Sequence, residues 1–461
     1  MKQLFKDVGS FMIRTPSLPI DLLVDNVENS DNIDNIMFLS DSSFYKNQFN
    51  EAILVASHDL YESIQRYING DKVRNMDYLL NSVYKYFSRS CSRCTPFGLF
   101  STVSFGDITF KKTSFELRET ELKRKPLIDS NWLFEVVYMY EDRYLKSLKY
   151  KINEGVAVYR NKANLFNCTQ NNNSEKINKK SVNYSKAFEI VLEIANDYVS
   201  YYEIIENLKK SYPNMDEGIV HTYIHSLIKE DYLISDLRPP LTISNQLEYF
   251  ISKLIEYDIN SDIFIDIKKQ IDIYSDESKD EKINCLMNIF NNMKSVYNSK
   301  NYLAIDSSFD YKECNLNVNE IKNIDKLINL FIQFNVNDPF DILKEYKDKF
   351  LGKYGLSRCV SLIELIDNDI GLGFPSHYDR KTNVNNFGGY INPWVKFFER
   401  KYIESIRINS EIEITDTDIR MLLSENFEKD RLPKTMEIYF NYIKENGKDV
   451  FQLSNIFGST Y

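Results

Sequence analysis

Between residues 147 and 167 the sequence changes texture. Short β-favouring runs, LKYKI, VAVYR and NLFNC, are separated there by the turn residues Asn153, Gly155 and Asn161, whereas the stretches on either side repeat their apolar residues at helical spacing. From Met76 to Phe87 the apolar positions Met76, Leu79, Leu80, Val83, Tyr84 and Phe87 fall on one helix face. After the strands come three amphipathic helices, carried by Phe188, Val191, Leu192 and Ala195, by Ile204, Ile205 and Leu208, and by Val220, Tyr223, Ile224, Leu227 and Ile228. A last strand, Tyr232 to Ser235, ends at Arg238-Pro239-Pro240. A chain with short strands and grouped helices folds as α+β, with mixed helices and small sheets.

Small strands, three helices and a turn at Ser211-Tyr212-Pro213-Asn214 outline an inserted winged-helix-like element. Such a unit can read DNA, or take up a peptide as an added strand at its sheet edge. Composition shifts near 145 and 240 divide the chain into 1–145, the insert 146–240 and a continuation 241–461. The continuation is helix-rich, with a strand at Tyr302 to Ile305. Its clearest helix has Asp338 as N-cap and Pro339 at the first helical position, turns Leu343, Phe350 and Tyr354 to a core, and stops at Gly355. A strand-like run, Cys359 to Ile366, then leads into Asp367-Asn368-Asp369-Ile370-Gly371-Leu372-Gly373-Phe374-Pro375, two acids facing a glycine-punctuated turn.

With 461 residues, 43% apolar and 27% charged, the chain can bury several cores. Its net charge of −10 excludes a whole-surface attraction for nucleic acid, so no DNA partner is expected and any RNA needs a local basic patch. Six cysteines in irregular spacings are not a secreted disulfide framework, and Asp7 and Arg14 interrupt the apolar character of the N-terminus, which points to the reducing cytoplasm. Nucleotide hydrolysis, dinucleotide binding, zinc proteolysis and esterase chemistry all lack their usual motifs.

The densest candidate site is Ser88-Arg89-Ser90-Cys91-Ser92-Arg93-Cys94-Thr95-Pro96-Phe97-Gly98-Leu99-Phe100. Arg89 and Arg93, four apart at a helix end, offer two guanidinium forks for phosphate or carboxylate, or else cap the helix and pair with surface acids. Thr95 adds a hydroxyl, Pro96 cannot continue a helix and Gly98 permits a sharp turn. The same stretch holds a CxxC, Cys91 and Cys94, which with His221 and His225 supplies four zinc-type ligands from distant halves; a lone CxxC is a weak signal, and the histidines fit the solvent flank of their helix. Lys111-Lys112, Lys123-Arg124-Lys125, Lys176 with Lys179-Lys180, and Lys209-Lys210 read as solvated faces rather than an RNA groove.

The run Arg89-x-x-x-Arg93-x-Thr95-Pro96-Phe97-Gly98-Leu99-Phe100 resembles the N-terminal signature of the lantibiotic dehydratases, the LanB type. Five further stretches resemble family motifs in the family's order: Phe11-Met12-Ile13-Arg14-Thr15-Pro16, Asp129-Ser130-Asn131-Trp132-Leu133, Leu233 to Pro239, Lys353-Tyr354-Gly355, and Gly371-Leu372-Gly373-Phe374-Pro375. The resemblance implies the front of a glutamylation domain, in which glutamyl-tRNA, as co-substrate and with no cofactor, esterifies Ser and Thr hydroxyls of a precursor peptide before a separate domain eliminates glutamate. Such chemistry needs cations for the tRNA 3′ phosphates and the glutamate carboxylate, and a group that takes the hydroxyl proton. By resemblance, Arg14, Arg89 and Arg93 meet the first need and Thr95 orients the acceptor. Asp129, Asp367 and Asp369 are candidates for the base or for holding an arginine, the last two together because the family's strict offset falls on Asn368 between them. The resemblance also implies that 147–236 binds the leader peptide of the precursor through its third strand, near Lys176 to Val182, and the face of its third helix.

Phe457-Gly458-Ser459-Thr460-Tyr461 resembles the start of a motif that continues in the family. The expectation is therefore an incomplete glutamylation domain without an elimination domain, partnered by a companion chain that supplies the rest; a homodimer is also compatible. The rival is a non-catalytic module that binds leader peptide and recruits other maturation enzymes. A third reading is a CxxC zinc or redox protein.

Overall fold

The computed structural model describes residues 6–28, 44–159, 161–166, 179–276, 281–335, 342–375, 393–415, 417–418, 421, 435–445 and 448–458. The chain divides into two units: the first is Met12–Gly106 with Phe115–Cys314, the second Met1–Phe11, Asp107–Ser114 and Asn315–Tyr461.

The early elements are β1 (Ser10–Pro16), α1 (Ile20–Glu28), α2 (Phe44–Ala56), α3 (His58–Ile68), α4 (Met76–Ser92), β2 (Ser101–Thr109), β3 (Ser114–Ile128) and α5 (Ser130–Tyr144). Helix α4 begins where Asn75 accepts a hydrogen bond from the Tyr78 amide at 3.0 Å. It buries Leu79, Val83, Phe87 and Cys91, one residue every four, and ends at Ser92, so Arg89 and Arg93 stand at its C-terminal end as expected. Helix α5 starts at Asp129, whose Oδ1 accepts from the Trp132 amide at 3.1 Å. Trp132 is fully buried, and its indole N–H reaches the carbonyls of Met293 (3.3 Å) and Tyr297 (3.0 Å), so the largest apolar side chain carries no unpaired donor into the core.

The middle of the first unit holds β4 (Lys149–Ile152), β5 (Val156–Tyr159), β6 (Lys162–Phe166), β7 (Lys179–Asn183), α6 (Lys186–Ile194), β8 (Val199–Ser200), α7 (Tyr201–Ser211), α8 (Glu217–Lys229) and β9 (Leu233–Ser235). All three predicted helices are present, each with a side-chain N-cap, from Ser185, Ser200 and Asp216. Their apolar faces meet through Phe188, Val191, Ile204, Leu208, Val220 and Ile224, each such burial contributing about 1.5–3 kcal/mol. The short strands form two antiparallel three-stranded sheets, β8-β4-β9 and β5-β6-β7. Of the predicted third strand, residues 176–178 lie outside the described residues.

Helices α9 (Gln246–Glu256), α10 (Asp262–Ser275) and α11 (Lys282–Val296) and strand β10 (Leu303–Asn317) follow, and β1, β2, β10 and β3 hydrogen-bond in that order. Strand β10 is far longer than the predicted Tyr302 to Ile305. The predicted solvated cluster at 123–125 needs correction. Arg124 is buried, with Nε and Nη2 on the two carboxylate oxygens of Glu51 at 2.7 and 2.8 Å, while the Tyr274 hydroxyl donates to the same carboxylate at 2.5 Å. A buried acid makes that burial tolerable.

The second unit contains α12 (Val318–Asn335), α13 (Ile342–Tyr354), α14 (Leu362–Ile366), α15 (Pro393–Ile408) and a hairpin of β11 (Glu437–Glu445) and β12 (Lys448–Gly458), in which Tyr442 lies opposite Phe451. The predicted helix start at Asp338 and Pro339 lies outside the described residues, as does the side chain of Leu343. The helix stops as predicted at Gly355, with φ +72. The strand-like reading of Cys359 to Ile366 is wrong: Leu362–Ile366 is a helical turn, closed by the Leu365 amide on the Ser361 carbonyl at 2.9 Å. A short apolar run has no periodicity long enough to separate the two states. Among the described residues no helix is long and apolar enough to cross a membrane.

Candidate functional site

Backbone bonds bring the stretch after β1 to the C-terminal end of α4 and to the loop that follows it. Just past β1, the Leu18 amide donates to the Ser90 carbonyl (3.0 Å) and the Ser17 amide to the Phe100 carbonyl (3.2 Å). The hydroxyls of Thr15 and Thr102 are 2.7 Å apart. Because side chains alternate along a strand, Arg14 leaves β1 on the side opposite Thr15.

Arg89 sits in the last turn of α4 and Arg93 is its C-cap. The Arg93 amide still closes a bond onto the Arg89 carbonyl at 3.0 Å, while φ −111 and ψ 121 turn the chain out of the helix. The next residues fold into a loop held by two serines. The Thr95 carbonyl accepts from Arg89 Nη2 (3.3 Å) and from the Ser101 hydroxyl (2.8 Å), and Ser101 Oγ accepts from the Phe97 amide (3.1 Å). From β10, Ser307 Oγ lies 3.0 Å from the Ser101 carbonyl and 3.4 Å from that of Gly98, which has φ +55. The Arg89 guanidinium lies over the Phe97 ring, 4.7 Å from its centroid. Arg89 Nε is buried and has no hydrogen-bond partner among the described residues. The side chains of Arg93 and Thr95 are exposed.

Asp129 belongs to the same unit. Its amide donates to the Tyr302 carbonyl at 2.9 Å, and its carboxylate caps α5. Sequence reasoning missed Ser307, which reaches the loop after α4. On β10 Leu303, Ile305 and Ser307 point inward, while Ala304 and Asp306 face solvent. The expected strand, Tyr302 to Ile305, stops short of Ser307, although the alternation continues through it.

In the second unit, described by itself, the Lys-Tyr-Gly and Gly-Leu-Gly motifs form one local structure. Lys353 Nζ donates to the carbonyls of Ile370 (2.8 Å) and Gly371 (2.6 Å), and the Tyr346 hydroxyl to that of Gly373 (2.6 Å). Asp367 builds the turn: its Oδ1 accepts from the amides of Asp369 (2.9 Å) and Ile370 (3.0 Å). Asp369 is exposed, and the Asn368 side chain packs against Gly373.

The CxxC does not assemble a centre here. Cys91 is in the core, and burial pushes its thiol up to about 12, away from the thiolate that redox exchange needs. Among the described residues no three His, Cys, Asp or Glu side chains are grouped to hold a metal. His221 departs from the expected solvent flank. It stacks on Tyr201 at 5.5 Å, with Nδ1 2.8 Å from the Tyr201 hydroxyl, whereas His225 is exposed, 3.8 Å from Asp142.

The family model "Lantibiotic dehydratase, N terminus" matches residues 45–451. The chain is 28% identical, over its whole length, to subtilin biosynthesis protein SpaB of Bacillus subtilis, covering 45% of that protein. It is 29% identical, over 89% of its length, to nisin biosynthesis protein NisB of Lactococcus lactis subsp. lactis, covering 42%. It thus spans about half the length of the relatives it matches. In fold it is similar to the tRNA-dependent lantibiotic dehydratase MibB from Microbispora sp. 107891, with a TM-score of 0.74 and 20% identity over 96% of this chain and 42% of that one. It is also similar to the glutamylation domain TbtB from thiomuracin biosynthesis, bound to 5′-phosphodesmethylglutamycin, with a TM-score of 0.57 and 14% identity over 90% of this chain and 53% of that one. With its motifs in the family's order and the family model spanning nearly all of it, the chain belongs to the lantibiotic dehydratase family, as an N-terminal region.

Proposed function

We propose that the chain carries glutamyl transfer from glutamyl-tRNA to Ser and Thr hydroxyls of a lantibiotic precursor peptide. The observation that carries this reading is the buried Nε–H of Arg89, which has no hydrogen-bond partner among the described residues, beside a loop rich in polar groups. Leaving such a donor unpaired costs about 1–3 kcal/mol, and an arriving phosphate or carboxylate oxygen removes that cost. The fold likeness to one protein described as tRNA-dependent and another described as a glutamylation domain supports the same reading. In the transfer, the peptide hydroxyl oxygen bonds to the glutamyl ester carbon and the bond from that carbon to the tRNA ribose oxygen breaks. The hydroxyl proton passes to a carboxylate, and the ribose oxygen leaves protonated. Arg14 and Arg93 add positive charge and Thr95 an orienting hydroxyl. Asp129, Asp367 and Asp369 are the candidate proton acceptors, with Asp129 and Asp367 already engaged in local turns.

Leader binding belongs to the same proposal. In the order β5-β6-β7, strand β7 is an edge, and an extended peptide can pair with it beside α8. The test incubates the purified chain with glutamyl-tRNA and precursor peptide and follows glutamyl adducts by mass spectrometry, with leader affinity measured separately by fluorescence anisotropy. Arg89→Ala with Arg93→Ala abolishes transfer and leaves leader affinity nearly unchanged. Loss of both overturns the two-site reading, and leader binding with no adduct from the wild type favours the non-catalytic module.

A further inference from the structure

Phe97 is 46% exposed, while its neighbours Leu99 and Phe100 are fully buried. Its position is nevertheless fixed. The Phe97 amide donates to Ser101 Oγ, its carbonyl accepts from the Phe100 amide at 3.2 Å, and its ring stacks on Phe100 at 5.9 Å with 13° between the planes. Phe100 is itself locked, stacked on Tyr86 at 5.0 Å and met edge-on by Phe49. Phe97 in turn carries the Arg89 guanidinium over its ring, 4.7 Å from the centroid. An aromatic face attracts a cation but cannot accept an N–H hydrogen bond in the manner of an oxygen.

We propose that Phe97 is the positioning residue of the anion site: its ring holds the Arg89 guanidinium in one plane, stripped of water on that face and short of hydrogen bonds, ready for the anionic group of the substrate. This rests on reading the loop after α4 as the place where glutamyl-tRNA is bound. A flat cation held this way meets a phosphate or carboxylate without first giving up solvent or searching rotamers. A polar residue at 97 would satisfy Arg89 from within and dull its affinity; an aliphatic one would keep the cover but lose the attraction to the ring.

The first readout is independent of transfer. Phenylglyoxal modification of Arg89 is followed by peptide mass spectrometry in the intact chain, with inorganic pyrophosphate as protecting anion. In the wild type pyrophosphate slows modification of Arg89. In Phe97→Leu the protecting concentration rises about tenfold, and in Phe97→Tyr it stays within about twofold. The KM for glutamyl-tRNA follows the same order, with kcat little changed. Absence of protection in the wild type, or an unchanged midpoint in Phe97→Leu, overturns the proposal. Phe97→Met gives the same comparison if Phe97→Leu does not fold. Protection that behaves as expected in a chain that transfers no glutamate would remove the proposed function and leave the role of Phe97 standing.

Discussion

Arg238 closes on Glu141 with two parallel hydrogen bonds, 2.7 Å from Nε and 2.9 Å from Nη2, while Nη1 reaches Asp231 at 2.8 Å. The guanidinium lies 4.9 Å from the Tyr138 ring, and the Ser235 hydroxyl donates to Glu141 at 2.6 Å. Burial works against the charge, but Glu141 and Asp231 more than offset it, so the pKa of Arg238 moves up rather than down. The Arg238-Pro239 segment is therefore a latch between α5 and the end of strand β9.

Removing one partner of such a cluster strands the others. Arg238→Met should cost about 3–5 kcal/mol in urea unfolding, because two nearly buried carboxylates lose their counter-charge. The double variant Arg238→Met with Glu141→Leu should recover a large part of that loss. A double variant no more stable than the single one would show that Asp231, not Glu141, dominates the latch.

Two glycines separate backbone freedom from space. Gly98 has φ +55 and open space around an added Cβ, so Gly98→Ala should cost about 1–2 kcal/mol from conformation alone, and Gly98→Asn less. A Cβ on Gly371 would collide with the carbonyl oxygens of Glu364, Leu365 and Asp367. Gly371→Ala should therefore cost about 3 kcal/mol or more and expose the 367–373 turn to proteolysis. Equal protease resistance of the two alanine variants would refute this ranking.

The buried Cys91 thiol gives a pH signature. Its pKa rises from the ordinary 9.0 to about 12, so the folded state holds the proton more tightly than the unfolded chain. The stabilisation is complete below pH 9 and is lost as pH rises from there through about 12, at about 1 kcal/mol per pH unit. Cys91→Val should flatten that slope between pH 9 and 10.5 in urea titrations. At pH 8 a thiol reagent should label the exposed Cys94 and leave Cys91 untouched until the chain unfolds.

Much of this was legible because the signals were local and periodic. Leu79, Val83 and Phe87 announce α4, and Ser185, Ser200 and Asp216 cap helices whose apolar faces were already visible. What escaped depends on contacts between distant residues. Arg124 looks like one member of a basic run until Glu51, 73 residues earlier, is found beside it. Ser307 acquires its role only by reaching the Gly98 carbonyl, 209 residues away, and no spacing encodes that. The site arginines could be named from a motif, but not the division between them: one rests against an aromatic ring, the other stands in solvent.

Under the proposed glutamyl transfer, that division makes a last prediction, in salt. Arg93 is exposed, so its attraction for a polyanion acts through water and is screened once the Debye length falls to about 10 Å at 0.1 M salt. Arg93→Lys should change the KM for glutamyl-tRNA by no more than about threefold at low salt, and the difference should vanish as salt rises. Arg89 acts at close range from a partly dehydrated position. Lysine there keeps the charge but loses the planar fork, the Nη2 bond to the Thr95 carbonyl and the flat contact with Phe97. Arg89→Lys should cost at least about tenfold in kcat/KM, with a deficit that persists at about 0.3 M salt. An Arg89→Lys deficit no larger than that of Arg93→Lys would mean that Arg89 too contributes only long-range charge.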